Sequence, residues 1–224
     1  MKTLKIKATL LEEMLGTLPG DPEVFEAHIA SKNPEGVSME EVESIDLDEE
    51  LEKGTTVFSR DDNDNPHMWD YQVRGFLKEA IKALQDMDGS LIAKKEDQKK
   101  LKLTNYSSNR TIDNTVFVSP RKISFNMPEG GEVGHCQRPL RATTMRGERV
   151  ALANSETVPA GTTIEFSIQL QNNKLEDVIL QALLYGQRKG FGQWRNSGKG
   201  SFEFELLSSE EDTDWLDISK VKKK

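Results

Sequence analysis

Leu175-Glu-Asp-Val-Ile-Leu-Gln-Ala-Leu-Leu184, Gly186-Gln-Arg-Lys-Gly-Phe-Gly-Gln-Trp-Arg-Asn-Ser-Gly-Lys-Gly200 and Ser201-Phe-Glu-Phe-Glu-Leu-Leu207 follow one another near the end of the chain. The first piece spaces its apolar residues by three and four, the pattern of an amphipathic helix. The second is a loop punctuated by Gly186, Gly190, Gly192, Gly198 and Gly200. The third alternates apolar and polar residues, the pattern of a half-buried strand. Just upstream, Thr162–Leu170 alternates too, with Ile164, Phe166, Ile168 and Leu170 on one face, and Gln171-Asn-Asn turns the chain into the helix. The C-terminal half therefore reads strand, helix, glycine loop, strand.

The N-terminal half reads similarly, with interruptions. Leu4, Ile6, Ala8 and Leu10 line one face of an expected first strand, with Lys5, Lys7 and Thr9 on the other. Breakers crowd Gly16–Gly36 around a short helical piece at Pro22–Ser31, and Ser38 with Glu41 forms the sequence signature of a capping box. A short strand at Thr55–Ser59, a polar turn at Arg60–Pro66 and a helix at Tyr71–Met87 follow. That helix would bury Val73, Phe76, Leu77, Ala80, Ile81 and Leu84. The lysine-rich segment Ser90–Leu103 fits a helix or a charged hairpin. Val116–Val118 and Ile123–Phe125 read as strands, and Cys136–Ala151 as a polar, arginine-bearing stretch with little periodicity. Two βαβ-like halves in one chain predict an α+β fold with a long acidic insertion. Residues 1–207 are expected to form a single domain, 16–54 the insertion, and 208–224 an acidic then basic flexible tail.

The chain has 224 residues, 30% of them charged and 35% hydrophobic, with a net charge of -8. No apolar run approaches the roughly 20 residues of a membrane span, and the N-terminus lacks a secretory h-region. A soluble, cytoplasmic protein without a membrane partner is expected, in a bacterial host cell if phage-encoded. The single Cys136 cannot form an internal disulfide.

The charge is unevenly distributed. From Leu10 to Asp64 the bases are Lys32, Lys53 and Arg60 alone, facing carboxylates that include Glu40, Glu41, Glu43, Asp46, Asp48, Glu49, Glu50 and Glu52. The remainder is net positive. Its cations include Arg121, Lys122, Arg138, Arg141, Arg146, Arg149, Arg188, Lys189, Arg195 and Lys199, which could hold an anion if gathered on one face.

The glycine loop is the strongest local signal for function. Glycines let a backbone approach a phosphate, cations neutralise it, and Phe191 and Trp194 offer rings to a base. It is not a P-loop, because Gly198-Lys199-Gly200-Ser201 leads into a strand rather than a helix. A long turn with Phe191 and Trp194 anchored in the core accounts for the same residues.

The order of elements, the segment Trp69-Asp-Tyr-Gln-Val-Arg-Gly-Phe-Leu-Lys78, and the late helix, glycine loop and terminal strand together resemble the RAMP superfamily. That superfamily supplies the backbone subunits of CRISPR effector complexes. The resemblance implies a ferredoxin-like, RNA-recognition-like core, binding of guide RNA or single-stranded DNA, and head-to-tail self-association in a multi-subunit complex. It places Arg74, Gly75 and Lys78 of the helix and Gly190, Gly192, Gly198 and Gly200 of the loop near the nucleic-acid backbone. Arg138, Arg141, Arg146, Arg149, Arg188, Lys189, Trp194, Arg195 and Lys199 complete the expected nucleic-acid contacts. The chain departs from the family in its acidity, its carboxylate-rich insertion and its Gly-Phe-Gly-Gln-Trp-Arg loop. It is also similar to proteins of bacteriophages and prophages.

Some RAMP members cut RNA with an aspartate after the first strand, which would make Asp21 a catalytic candidate in a metal-dependent ribonuclease. Between Gly20 and Pro22, an ordinary turn aspartate explains Asp21 as well. His28, His67, His135 and Cys136 lack metal-ligand spacing, and Asp61-Asp-Asn-Asp-Asn-Pro66 lacks the Gly and Glu of a calcium loop. No nucleophile elbow is present. A binding protein without a cofactor or metal is therefore the expectation. Two other readings stand beside it: a phage counter-defence module acting through the acidic arm Glu35–Glu52, and a nucleotide-binding protein using the glycine loop.

Overall fold

The computed structural model describes residues 1–19, 55–144 and 147–212, and only the backbone within 140–151. The expected helices at Pro22–Ser31 and after Ser38, the arm Glu35–Glu52, Asp21, Arg146 and the tail beyond residue 212 lie outside the described residues. The strands are β1 (Lys2–Leu10), β2 (Met14–Leu15), β3 (Leu18–Pro19), β4 (Thr55–Val57), β5 (Ser59–Arg60), β6 (Pro66–Trp69), β7 (Val116–Ser119), β8 (Lys122–Ser124), β9 (Gly134–Thr144), β10 (Gly147–Val158), β11 (Thr163–Leu170) and β12 (Phe202–Glu211). The helices are α1 (Asp70–Gln85), α2 (Lys95–Lys100), α3 (Ser108–Thr115) and α4 (Glu176–Leu184).

The alternating segments make one antiparallel sheet of order β12-β1-β11-β7. β1 and β7 flank β11 and are joined through α1, while β11 and β12 flank β1 and are joined through α4. Two interlocked split βαβ units are the ferredoxin-like topology, and the fold is α+β. Register aligns the apolar faces: Leu4 lies opposite Ile168, Ile6 opposite Phe166 and Ala8 opposite Ile164. Under them sit Val73, Phe76, Leu77, Ala80, Ile81 and Leu84 of α1 with Val178, Ile179, Ala182 and Leu183 of α4, all in one core. α1 begins where it does because Gln72 reaches back to accept a hydrogen bond from the Trp69 backbone N–H at 2.8 Å, half of a capping box.

The opposite face of the sheet carries no stacking platform. Its central positions are Lys5, Lys7, Glu165, Ser167 and Gln169, with Lys5 and Glu165 4.0 Å apart. Phe117, on the edge strand β7, is the one exposed aromatic of its four strands among the described residues.

Two further sheets, of five and three strands, are built from the segments between these elements. One has the order β2-β10-β4-β3, with β9 paired to β10. The other is β5-β6-β8. The stretch expected to be aperiodic, Cys136–Ala151, is thus most of a long β9–β10 hairpin. It shows no alternation because its buried positions include Arg138, Ser155 and Thr157 while Leu152 is exposed. Ser90–Leu103 contains the short helix α2, and α3 follows it where no element was expected. β12 continues to Glu211, past the expected end at Leu207, because β1 pairs with it as far as Lys2. The Asp61 turn closes on itself: its Oδ1 accepts from the backbone N–H groups of Asn63 and Asn65, each at 2.9 Å.

His67, on β6, is buried edge-on against Trp69. Burial, aided by the Lys122 cation, pushes its pKa below the ordinary 6.5, although Asp61 pulls the other way. A folded-state value below the unfolded one means that protons favour the unfolded chain. The stabilisation is therefore complete above about pH 6.5 and shrinks as pH falls below it. Thermal melts of the wild type should lose stability between pH 7 and pH 5 more steeply than melts of His67→Phe; parallel curves would show that His67 does not drive the loss.

Candidate nucleic-acid interface

The glycine loop is a fixed bracket rather than a mobile flap. Phe191 N–H donates to Gly200 O at 2.9 Å, Gly200 N–H to Glu13 O at 2.8 Å, and Leu11 N–H to Ser201 O at 2.8 Å. These bonds tie the two ends of the loop to each other and to the segment leaving β1. Gly190 is required by closeness, since a Cβ there would stand 1.6 Å from Gly200 O. Gly198 is required by backbone angle, at φ +86 with open space around it.

Phe191 is 2% exposed, stacked on Phe202 at 4.4 Å and edge-on to Phe76 at 5.1 Å. Of the two roles open to it, a ring for a base or an anchor in the core, it takes the second. Trp194 differs. It sits at φ +52, a conformation that costs an ordinary residue about 1 kcal/mol or more, and 43% of it is exposed. The Arg138 guanidinium lies 5.3 Å from its ring centroid, while Arg138 Nη2 donates to Gln193 Oε1 at 2.8 Å. Arg138 is only 8% exposed, yet its Nε and Nη1 have no partner. Lys189, Gly192, Gln193, Trp194, Arg195 and Asn196 line an open groove of about 500 Å³.

The loop cations are largely neutralised from within. Lys189 and Arg195 both grip Glu79 of α1, the latter at 2.5 Å. Burial alone would raise the Glu79 carboxyl, but the two cations outweigh it and hold its pKa below the usual range. Lys199 pairs with Glu13 at 2.8 Å and approaches Glu12 at 3.6 Å, which raises its pKa. On α1, Arg74 pairs with Asp70 at 3.2 Å, and Lys78 pairs with Asp113 of α3. Counting charges, the Lys189–Arg195–Glu79 group keeps one net positive charge and the Lys199–Glu12–Glu13 group one net negative. Arg188 is exposed and makes no ion pair among the described residues. Gly75 faces solvent on α1 with nothing within 4 Å of a built Cβ. Arg141 and Arg149 lie on β9 and β10, where only the backbone is described.

A second group of cations had no place among the expected contacts. Lys99, Lys100, Lys102 and Arg110 line a cleft of about 620 Å³ between α2 and α3. The signal available in the sequence was the lysine run itself, which has no glycine or motif attached to it.

No protein-family model matches the sequence, and no curated protein matches it either. Among solved structures, the chain is similar to one in the cryo-EM structure of the Type III-B Cmr-beta bound to cognate target RNA, with a TM-score of 0.50 and 11% sequence identity. The match covers 93% of this chain and 60% of that one, so this chain spans about three-fifths of its neighbour's length. At this identity the likeness concerns the fold. It agrees with the ferredoxin-like α+β core described above. Among the described residues no helix is long and apolar enough to cross a membrane.

The two kinds of glycine should separate experimentally. Gly190→Ala, which forces two backbone segments apart, should destabilise the protein by about 3 kcal/mol in urea titrations. Gly198→Ala, strained in φ alone, should cost about 1 kcal/mol. Equal costs would mean that the Gly190–Gly200 contact does not constrain the loop.

Proposed function

We propose that this chain is a RAMP-like subunit that binds RNA, or single-stranded DNA, along its phosphate backbone in a multi-subunit complex. The observation that carries the proposal is the Arg138–Trp194 pair. A guanidinium buried with two N–H groups unpartnered is costly unless a further acceptor arrives, and a strained, half-exposed indole beside it offers a face to a base. Lys189 and Arg195 supply the net positive charge of the groove, Arg188 stands exposed just before it in the chain, and Gly190, Gly192 and Gly198 hold its shape. Lys199 contributes less, because Glu12 and Glu13 surround it. Arg74 and Lys78 of α1 are outer phosphate contacts, weakened by their pairs with Asp70 and Asp113.

Gly75 supports the same reading. A solvent-facing glycine in a helix costs about 1 kcal/mol relative to alanine, and no contact among the described residues requires it. Close approach of another backbone accounts for it. The likeness of fold to a chain in an RNA-bound complex raises the weight of RNA over other polyanions. The mixed-charge sheet face argues that bases stack at the loop, not on the strands as in RNA-recognition modules.

Fluorescence anisotropy of a labelled single-stranded RNA, across a salt series, tests the proposal. Trp194→Ala should weaken binding by about 1–3 kcal/mol. Glu79→Gln should strengthen it, because it frees Lys189 and Arg195 for phosphates, while destabilising the fold by no more than about 1 kcal/mol. A purely structural Glu79 predicts the opposite sign for binding. Salt-insensitive affinity, or a Trp194→Ala protein that binds as the wild type does, would remove the loop from the interface.

A further inference from the structure

The cations of this chain fall into two classes. Lys189, Arg195 and Lys199 of the glycine loop and Arg74 and Lys78 of α1 are paired with carboxylates, as described above. Lys99, Lys100, Lys102 and Arg110 are not: all are exposed, none has an ion pair among the described residues, and they converge on one cleft. Its other lining residues are Leu101, Thr104, Ser107, Thr111, Asn114, Thr115 and Asn172, with no carboxylate among them. Glu96, Asp97 and Asp113 lie on the same two helices outside the lining, and Asp113 is occupied by Lys78. Uncompensated cations so close together repel one another, and in a protein of net charge -8 carboxylates are abundant. Their absence from this cleft leaves a focused positive potential.

The cleft wall is also built to hold its shape. Lys102 adopts φ +56, unusual for a residue with a side chain. Its carbonyl accepts from Ser107 Oγ at 2.8 Å and from Thr111 Oγ1 at 2.7 Å, which ties the loop to the start of α3. Leu103 is fully buried, and its carbonyl accepts from Gln85 Nε2 of α1 at 2.5 Å, which ties the loop to the core. Leu103 N–H donates to Gln98 O of α2 at 2.7 Å. Strain held by a network of this kind is common at binding sites. On the same loop, Tyr106 is 100% exposed. A cleft of about 620 Å³ is the size of a small-molecule site.

We propose that the cleft between α2 and α3 binds the clustered phosphates of a nucleotide, with Lys99, Lys100, Lys102 and Arg110 as the phosphate contacts and Tyr106 as the stacking face for the base. The hydroxyl and amide groups of Thr104, Asn114 and Asn172 supply neutral donors. The site is separate from the glycine loop and does not depend on its function. Clustered phosphates occur both on a free nucleoside triphosphate and on the triphosphorylated end of an RNA, and both would be recognised by the same chemistry.

The test uses the full chain and four probes: inorganic triphosphate, a fluorescent adenosine triphosphate, a short RNA with a 5′-triphosphate and the same RNA with a 5′-hydroxyl. The wild type should bind the first two saturably, one per chain, and Lys100→Gln/Arg110→Gln should weaken both at least about tenfold. These side chains are exposed, so the double variant should melt as the wild type does. Tyr106→Ala should weaken adenosine triphosphate several-fold and leave inorganic triphosphate unchanged, a split that loss of structure would not produce. Lys7→Gln, on the open face of the sheet, should change neither. Stronger binding of the 5′-triphosphate RNA than of adenosine triphosphate would identify the strand end as the source, and the reverse the free nucleotide. The proposal is overturned if the wild type binds neither small probe, if the double variant binds them as tightly, or if the two RNAs bind equally through the cleft. Loss of RNA binding in loop variants alone would leave the glycine-loop reading standing and the cleft without a role in RNA binding.

Discussion

The C-terminal βαβ unit depends on one close contact, the crossing of Gly190 over Gly200. α4 ends beside the start of β12, with Gly186 against the ring of Phe202, and the intervening loop has to leave this point and return to it without losing burial. It does so by laying the backbone at Phe191 against Gly200, with no room for a Cβ at either glycine. Phe191 then stacks on Phe202, and both meet Phe76 of α1. Aromatic pairs of this kind each add about 0.5–1.5 kcal/mol beyond simple burial. The same crossing fixes the position of Trp194, which is strained by its φ and held beside Arg138. Core packing and the candidate interface are therefore parts of one turn.

Charge is organised around this scaffold by pairing. Glu79 takes two loop cations, Asp70 takes Arg74 and Arg121, and Glu156 takes Arg60. Half-exposed pairs like these contribute little to stability individually. Their effect here is on availability: a guanidinium bound to a carboxylate offers a weaker field to a phosphate than a free one. This separates cations that shape the surface from cations that can receive a ligand, and composition does not reveal the difference.

Much of the core was legible in the sequence. The alternation of Leu4, Ile6, Ala8 and Leu10, and of Ile164, Phe166, Ile168 and Leu170, arises because each strand buries one face, and the three-and-four spacing of α1 and α4 arises for the same reason. The β9–β10 hairpin was not legible, because Arg138, Ser155 and Thr157 occupy buried positions that periodicity reserves for apolar residues. The helix α3 escaped notice because it buries only Ser108 and Ile112. At the candidate interface, sequence singled out Trp194 and the loop glycines, and left Phe191 open between a ring for a base and a core anchor, a choice the ring cluster settles for the core. Ion pairs joining residues as distant in sequence as Glu79 and Arg195 exist only in the fold, so the charge left free could not be counted beforehand.

An acidic protein can hold a polyanion only if its negative charge lies elsewhere. At physiological ionic strength a charge is screened over about 8 Å, so a phosphate senses its immediate surroundings rather than the total of -8. Glu203, Glu205, Glu210 and Glu211 are exposed along β12, which is an edge strand of the sheet among the described residues. Carboxylates there discourage edge-to-edge pairing and repel a phosphate chain from that edge. The positions left to it are those where cations outnumber carboxylates, beside Trp194 and in the cleft between α2 and α3. Any subunit docking along the β12 edge would have to bring cations of its own, which makes that edge selective for a basic surface.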